Sequence, residues 1–300
     1  MDMALGRLIT AMVTPFDKKG NVDFKQAQRL AIALLESGSD GLVLAGTTGE
    51  SPTLNPREKI KLFSAVKEAV AGRGTVIANT GNYCTAESIK LTRAAESVGV
   101  DACLLVVPYY NRPSQEGLFL HFSAIARSTC LPCIMYNVPS RTVASLSSDT
   151  VIKLGQVDNI IGIKEASGNL EQVARIIGGI GRQDYLIFSG NDADTLPILS
   201  LGGYGVISVA SHLVGNQIKS MMAEFLAGHF EMAARIHRDL LPLMNALFVV
   251  SNPVPVKYAL NKVGFSVGKP RLPLTEPDEK AASLIEATLR HYHLDLPINR

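Results

Sequence analysis

The run IIGIK at residues 160–164 is apolar at every step until it ends on a lysine. Alternating apolar and polar residues mark a strand with one wet face, whereas an unbroken run marks a strand covered on both faces, as in a parallel sheet. Seven further runs share its length and character: LITAMV (8–13), GLVLAG (41–46), TVIANT (75–80), ACLLVV (102–107), CIMYNV (133–138), YLIFSG (185–190) and GVISVA (205–210). Between them lie stretches with helical periodicity, among them FKQAQRLAIALLESG (24–38), REKIKLFSAVKEAVAG (57–72), AESIKLTRAAESVG (86–99), EGLFLHFSAIARST (116–129) and LEQVARIIGGI (170–180). Eight buried strands alternating with helices over roughly 210 residues is the scale of a (β/α)8 barrel, the TIM barrel of the α/β class.

Punctuation agrees with that register. Asn55, Pro56 and Glu58 read as an N-cap, a proline at the first helical position and a capping-box acid. Gly38, Gly72 and Gly99 close helices just before the next strand. After GVISVA the strand signal stops, and KSMMAEFLAGHF (219–230), EMAARIHRDLLPLMNALF (231–248), PVPVKYALNKVG (253–264) and EKAASLIEATLRHYH (279–293) are helical in pattern. We therefore expect a barrel domain over 1–228 and a small C-terminal helical extension over 229–300. An open doubly wound sheet also alternates strands and helices, but a GxGxxG turn after an early strand would mark it, and GTTGES (46–51) does not have that spacing. GGIG (178–181) and GGYG (202–205) read as turns before the last two strands, near where this fold often builds phosphate sites.

Composition narrows the function classes. The 300 residues are 47% hydrophobic and 19% charged, with a formal charge of +2. No lysine or arginine block gives a footprint for nucleic acid or an anionic membrane, so a small-molecule ligand is expected. The N-terminal MDMALGRLITAMVTPF carries Asp2 and has no long apolar core before Arg7, which speaks against a secretory signal and for the cytoplasm. Residues 195–218 carry no charged side chain other than histidine, but Pro197, Gly202, Gly203, Gly205 and Asn216 break them too often for a membrane span. Cys84, Cys103, Cys130 and Cys133 are too few for a disulfide framework; the CxxC of Cys130 and Cys133 lacks a second pair and reads as small core residues. The histidines show no HExxH pairing, and no metal is expected.

Active sites of such barrels sit where the strands end. Those positions hold Thr14, Thr47 and Thr48, Tyr109 and Tyr110, Tyr136 and Asn137, Lys164, Gly190 and Asn191, and Ser208. No His, Asp or Glu dominates, so metal-assisted hydrolysis and two-carboxylate glycoside chemistry fit poorly. The set offers one amine, hydroxyls and phenols. Apolar surroundings disfavour the charged form of an amine and leave more of the nucleophile that forms a Schiff base with a carbonyl. On these residues alone Lys164 is either that nucleophile or a solvated strand-end lysine.

GTTGES (46–51), PYYNRPSQEG (108–117), YNVPSRT (136–142), GIKEASG (162–168), SGND (189–192) and SNPVPVKYAL (251–260) together resemble the motif series of the dihydrodipicolinate synthase family, pyruvate-dependent class I aldolases that include N-acetylneuraminate lyase. The resemblance implies condensation of pyruvate with L-aspartate 4-semialdehyde, the first committed step of diaminopimelate and lysine synthesis, with no metal or organic cofactor. It implies Lys164 as the imine-forming lysine, Tyr136 as proton relay, and Thr47 and Tyr110 as its partners. Tyr110 would reach into a neighbouring subunit, within a homotetramer built from tight dimers. Thr48 would receive the pyruvate carboxylate and Arg141 the carboxylate of the semialdehyde, with Gly190 and Ile207 lining the substrate. Ser51, Glu87 and Tyr109 match a lysine feedback site of regulated members.

The departures are specific. Val143 stands where most relatives have glycine, and Asn79 interrupts a usual AGTG stretch. Pro56 and Lys59 replace histidines and Tyr83 an asparagine at the feedback positions, so weak or absent lysine inhibition is expected. Arg141 weighs against a sister aldolase acting on a sugar acid, whose aldehyde has no carboxylate at that point. A complete lysine, tyrosine and threonine set weighs against a keto-acid-binding barrel without turnover. Glu165 has no assigned role.

Overall fold

The computed structural model describes residues 5–297; Asp2 lies outside them. The chain runs β1 (Leu8–Ala11), α1 (Phe24–Glu36), β2 (Gly41–Leu44), α2 (Pro56–Val70), β3 (Thr75–Asn79), α3 (Thr85–Ser97), β4 (Ala102–Val106), α4 (Gln115–Ala126), β5 (Cys133–Asn137), α5 (Pro139–Thr142), α6 (Ser148–Leu154), β6 (Ile160–Glu165), α7 (Leu170–Gly179), β7 (Leu186–Ser189), α8 (Thr195–Ser200) and β8 (Gly205–Ser208). Four helices follow: α9 (Ser211–Leu226), α10 (Phe230–Ala246), α11 (Val254–Lys262) and α12 (Glu279–Leu289). The strands are neighbours in chain order around a closed barrel. This is the expected (β/α)8 barrel with C-terminal helices. Every residue of β1, β2, β4, β5, β6 and β8 is buried, which is why their sequences do not alternate.

Local chemistry sets the helix ends as the sequence implies. Asn55 Oδ1 accepts the Glu58 N–H while a Glu58 carboxylate oxygen accepts the Asn55 N–H, with Pro56 opening α2. Gly38, Gly72 and Gly99 take left-handed φ of 111°, 79° and 78°, a region that costs a residue with a Cβ. Three short helices, α5, α6 and α8, were not evident in the sequence. Each spans two turns or fewer, too short for a 3.6-residue period to repeat.

Two compact units divide the chain, residues 1–76 with 208–300 and residues 77–207. In the first, α1 packs on α2, α9 packs on β1 and α10, and α12 packs on α10 and α11. In the second, β4 to β7 pair in parallel while α3, α4, α6, α7 and α8 pack in succession. Among the described residues no helix is long and apolar enough to cross a membrane. The uncharged segment 195–218 is divided among α8, β8 and the start of α9. All four cysteines are free; Cys103 and Cys133 are buried opposite one another on β4 and β5, whereas Cys130 is exposed and so is not a core residue. Burial pushes the Cys103 thiol up to about 12.

His212, at the start of α9, is fully buried. Its Nδ1–H donates to the Val209 carbonyl at 2.8 Å, and its Nε2 accepts the Val13 N–H at 3.2 Å. Acceptance at Nε2 needs the neutral ring, and burial lowers its pKa to about 4. Unfolded chain therefore binds the extra proton from about pH 6.5 downward while folded chain refuses it until about pH 4, so stability falls with pH across that window. The expected loss from His212 is about 3 kcal/mol by pH 4. Urea midpoints measured from pH 7 to pH 4.5 should decline, and a His212→Gln variant should show a shallower decline.

Candidate active site

In residues 77–207, β5 and β6 lie in parallel register with Tyr136 opposite Lys164 and Asn137 opposite Glu165. Strand alternation then puts Tyr136 and Lys164 on one face and Asn137 and Glu165 on the other. Lys164 is 6% exposed, and its Nζ lies over the Tyr136 ring, 4.4 Å from the centroid. Among the described residues neither this ammonium nor the Tyr136 phenol has a hydrogen-bond partner, and no carboxylate pairs with Lys164. Such a group is expensive to hold charged without a partner.

The other face is saturated. Glu165 is 1% exposed and accepts four hydrogen bonds from three residues. Asn137 Nδ2 donates to both its oxygens at 3.0 and 3.2 Å, the Ser167 N–H at 2.7 Å and Gln172 Nε2 at 3.2 Å. Asn137 Oδ1 in turn accepts the Leu146 N–H at 3.1 Å and the Ser145 hydroxyl at 3.3 Å. This network ties the ends of β5 and β6 to the segments that follow them. Sequence reasoning left Glu165 open because its partners are brought to it only by the fold.

The remaining candidates in this unit are placed as follows. Gly190, after β7, donates its N–H to the Glu165 carbonyl at 2.7 Å. A Cβ there would stand 2.6 Å from that of Ala166 and 3.0 Å from the Glu165 carbonyl oxygen, so glycine is required. Ile207 is buried on β8. Arg141 lies exposed on the single turn of α5, which Val143 closes at φ 59° with its side chain in solvent. A β-branched residue in that region is strained. Asn79 is buried at the end of β3. Tyr110 is 92% exposed at φ 76°, and its phenol makes no hydrogen bond among the described residues. Tyr109 is half-buried, edge-on to Tyr83 at 5.1 Å between centroids, and burial followed by that neighbour raises its pKa. Glu87 lies in the first turn of α3.

In the unit of residues 1–76 and 208–300, the GTTGES loop follows β2. Thr47 is partly exposed and Thr48 buried, with Thr48 Oγ1 accepting from Asn252 Nδ2 at 2.9 Å. Glu50 takes a left-handed φ of 57° and is buried; its carboxylate accepts Lys257 Nζ at 2.8 Å and the Arg271 N–H at 2.8 Å. Lys257 Nζ spends its other protons on the Thr14 and Lys269 carbonyls, both at 3.1 Å. Burial lowers the Lys257 pKa and Glu50 works against that shift. Arg271 adds bonds to the Thr53 carbonyl at 2.8 Å and bidentately to Glu58. Ser51 opens a short turn, and Lys59 is half-buried on α2 with its pKa lowered by burial.

The chain thus carries two buried lysines in opposite states. Lys257 has every ammonium proton bonded and a carboxylate beside it, the signature of a structural ion pair. Lys164 has an aromatic face and, among the described residues, no acceptor. Among the described residues no three His, Cys, Asp or Glu side chains are grouped to hold a metal ion.

Comparison with known proteins gives matches over nearly the whole chain. The model of the dihydrodipicolinate synthetase family matches residues 4–292. A 4-hydroxy-tetrahydrodipicolinate synthase of Dehalococcoides mccartyi strain CBDB1 is 63% identical over 98% of this chain and 99% of its own length. Its counterpart in Moorella thermoacetica is 52% identical over 95% of this chain and 99% of its own. Among solved structures, dihydrodipicolinate synthase from Cyanidioschyzon merolae with lysine bound superposes at a TM-score of 0.94 with 47% identity, covering 96% of this chain and 98% of that one. Dihydrodipicolinate synthase from Bacillus anthracis gives 0.93 and 45%, covering 95% and 98%. With the barrel, the paired Lys164 and Tyr136, and matches over nearly the whole length, the chain belongs to the dihydrodipicolinate synthetase family.

Proposed function

We propose that this chain is a lyase of the class I aldolase type that condenses pyruvate with L-aspartate 4-semialdehyde to 4-hydroxy-tetrahydrodipicolinate, releasing water. The observation that carries the reading is the buried Lys164 amine over Tyr136 with no hydrogen-bond acceptor among the described residues. Lys164 Nζ adds to the ketone carbon of pyruvate, and loss of water gives an imine. Loss of a methyl proton gives an enamine, whose carbon attacks the aldehyde of the second substrate. The amino group of that substrate then attacks the imine carbon, closes the ring and expels Lys164. Each step moves a proton that a phenol and hydroxyl relay can carry. Tyr136 is the relay beside the lysine, with Thr47 and Tyr110 its partners. Thr48 holds the keto-acid carboxylate, Arg141 that of the semialdehyde, and Gly190 and Ile207 line the bound carbon skeleton.

The working form is a homotetramer of tight dimers, with Tyr110 entering a neighbour's site. Support comes from that residue's 92% exposure and left-handed backbone, with no hydrogen bond from its phenol among the described residues. Residues 1–228 form the catalytic barrel and 229–300 an extension, and the pathway role in lysine and diaminopimelate synthesis places the enzyme in the cytoplasm.

Borohydride reduction of the chain in the presence of pyruvate, followed by peptide mapping, should place one adduct on Lys164. An adduct elsewhere, or none, overturns the mechanism. Offering aspartate semialdehyde and N-acetylmannosamine as acceptors should give turnover with the first alone.

Free lysine should inhibit weakly or not at all. Lys59 puts a half-buried cation, and Tyr83 an exposed ring, at positions where lysine-regulated relatives have histidine and asparagine. A cationic ligand gains nothing from a like charge in partly buried surroundings. A lysine titration of the coupled assay should show half-inhibition only above the millimolar range.

A further inference from the structure

We propose that Asn252 is a positioning residue for the keto-acid carboxylate, acting through the hydroxyl of Thr48. The inference rests on the reading of Thr48 as the group that receives that carboxylate. Both side chains are buried, and Asn252 Nδ2 lies 2.9 Å from Thr48 Oγ1. An amide nitrogen only donates, so Thr48 Oγ1 is the acceptor in this bond and its own hydrogen points elsewhere. A threonine hydroxyl placed in this way faces an anion as a donor. With an acceptor in place of Asn252 the hydroxyl would turn round and present lone pairs to the carboxylate.

The rest of the loop is arranged to keep Thr48 where Asn252 can reach it. Thr14 Oγ1 donates to the Gly49 carbonyl at 2.7 Å, and the Glu50 N–H donates to the Thr47 carbonyl at 3.1 Å. Glu50 is held from the C-terminal segment by Lys257 and by the Arg271 N–H. A buried ion pair is weak in net stability because desolvation offsets the attraction, yet it tolerates little displacement. The Glu50–Lys257 pair therefore fixes where the loop sits, and Asn252, five residues before Lys257, sets the direction of its hydroxyl. The motif SNPVPVK thereby serves the same ligand as GTTGES, although 204 positions separate Asn252 from Thr48.

The test is a double-mutant cycle read on pyruvate half-saturation of borohydride trapping at Lys164. Thr48→Val should raise half-saturation about 10-fold or more, the scale of one hydrogen bond to a charged group. Asn252→Asp, which can only accept and adds a negative charge, should raise it at least as far, with the KM for aspartate semialdehyde little changed. In the Thr48→Val background the same Asn252→Asp change should lose the part of its effect that runs through the hydroxyl and keep only the repulsion of the added charge, which a residue serving only the fold would not do. If Asn252→Asp does not fold, Asn252→Ala is read in the same cycle, with a rise of about 3- to 10-fold expected from the lost orientation. Equal effects with and without Thr48, or an unchanged half-saturation in a folded Asn252 variant, overturn the inference while leaving the Thr48 reading intact. An unchanged half-saturation in Thr48→Val overturns both.

Discussion

Lys164→Met should remove activity and leave a protein at least as stable as the parent. Methionine matches the length of the lysine stem, so packing in β6 is retained while the amine is lost. Without the nucleophile no imine forms, and kcat should fall by on the order of 10^4 or more, the scale seen when a covalent catalyst is deleted. Stability should move the other way. The ammonium is buried over an aromatic ring and has neither a carboxylate nor a hydrogen-bond acceptor among the described residues, so its desolvation is uncompensated except by the ring. Methionine at the same position has no such cost, and an urea midpoint at or above the parent value is expected. Loss of activity with a gain in stability is the signature of a residue kept for chemistry. A variant that retained activity within a hundredfold, or that unfolded at markedly lower urea, would count against the nucleophile.

What could be read from the sequence was what depends on neighbours along the chain. The eight strands announced themselves because full burial makes a run continuously apolar, and the α2 start because a capping box spans four residues. Lys164 was legible as an anomaly, a charge at the end of IIGIK. Its lack of an acceptor among the described residues was not, since that is a fact about the whole surroundings. Lys257 shows the difference: PVPVK reads as an ordinary helix start, and only the fold brings Glu50, 207 residues away, against its ammonium. The same holds for the Asn252 bond to Thr48. The helices α5, α6 and α8 escaped notice for a local reason, being too short to display a period.

Glu165 is where this limit has the largest consequence for stability, and Glu165→Ala should be among the most destabilising single changes in the chain. The carboxylate is the common acceptor for the Asn137 amide, the Ser167 N–H and the Gln172 amide. Its removal takes the acceptor from the Ser167 N–H and from one hydrogen of each of the Asn137 and Gln172 amides, whose nitrogens otherwise reach only Ser145 Oγ at 3.3 Å and the Leu146 carbonyl at 3.1 Å, in a region where Glu165 is 1% exposed and Asn137 fully buried. Each buried donor left without an acceptor costs about 1–3 kcal/mol, and partial relaxation brings the expected total to roughly 3–5 kcal/mol. Glu165→Gln should cost less, because its one carbonyl oxygen still accepts, but its amide hydrogens then face other donors. Catalysis should suffer beyond the stability loss, since Asn137 and Glu165 are the residues next to Tyr136 and Lys164 in register. At temperatures well below unfolding, Glu165→Gln should therefore lower kcat about 10-fold, as a displacement of catalytic groups by a fraction of an ångström to an ångström does. Urea midpoints together with pyruvate trapping rates at Lys164 decide the matter. A wild-type midpoint for Glu165→Ala would mean that the network has no energetic weight. A lowered midpoint with an unchanged trapping rate in Glu165→Gln would confine Glu165 to holding the strands together, without a part in aiming the lysine.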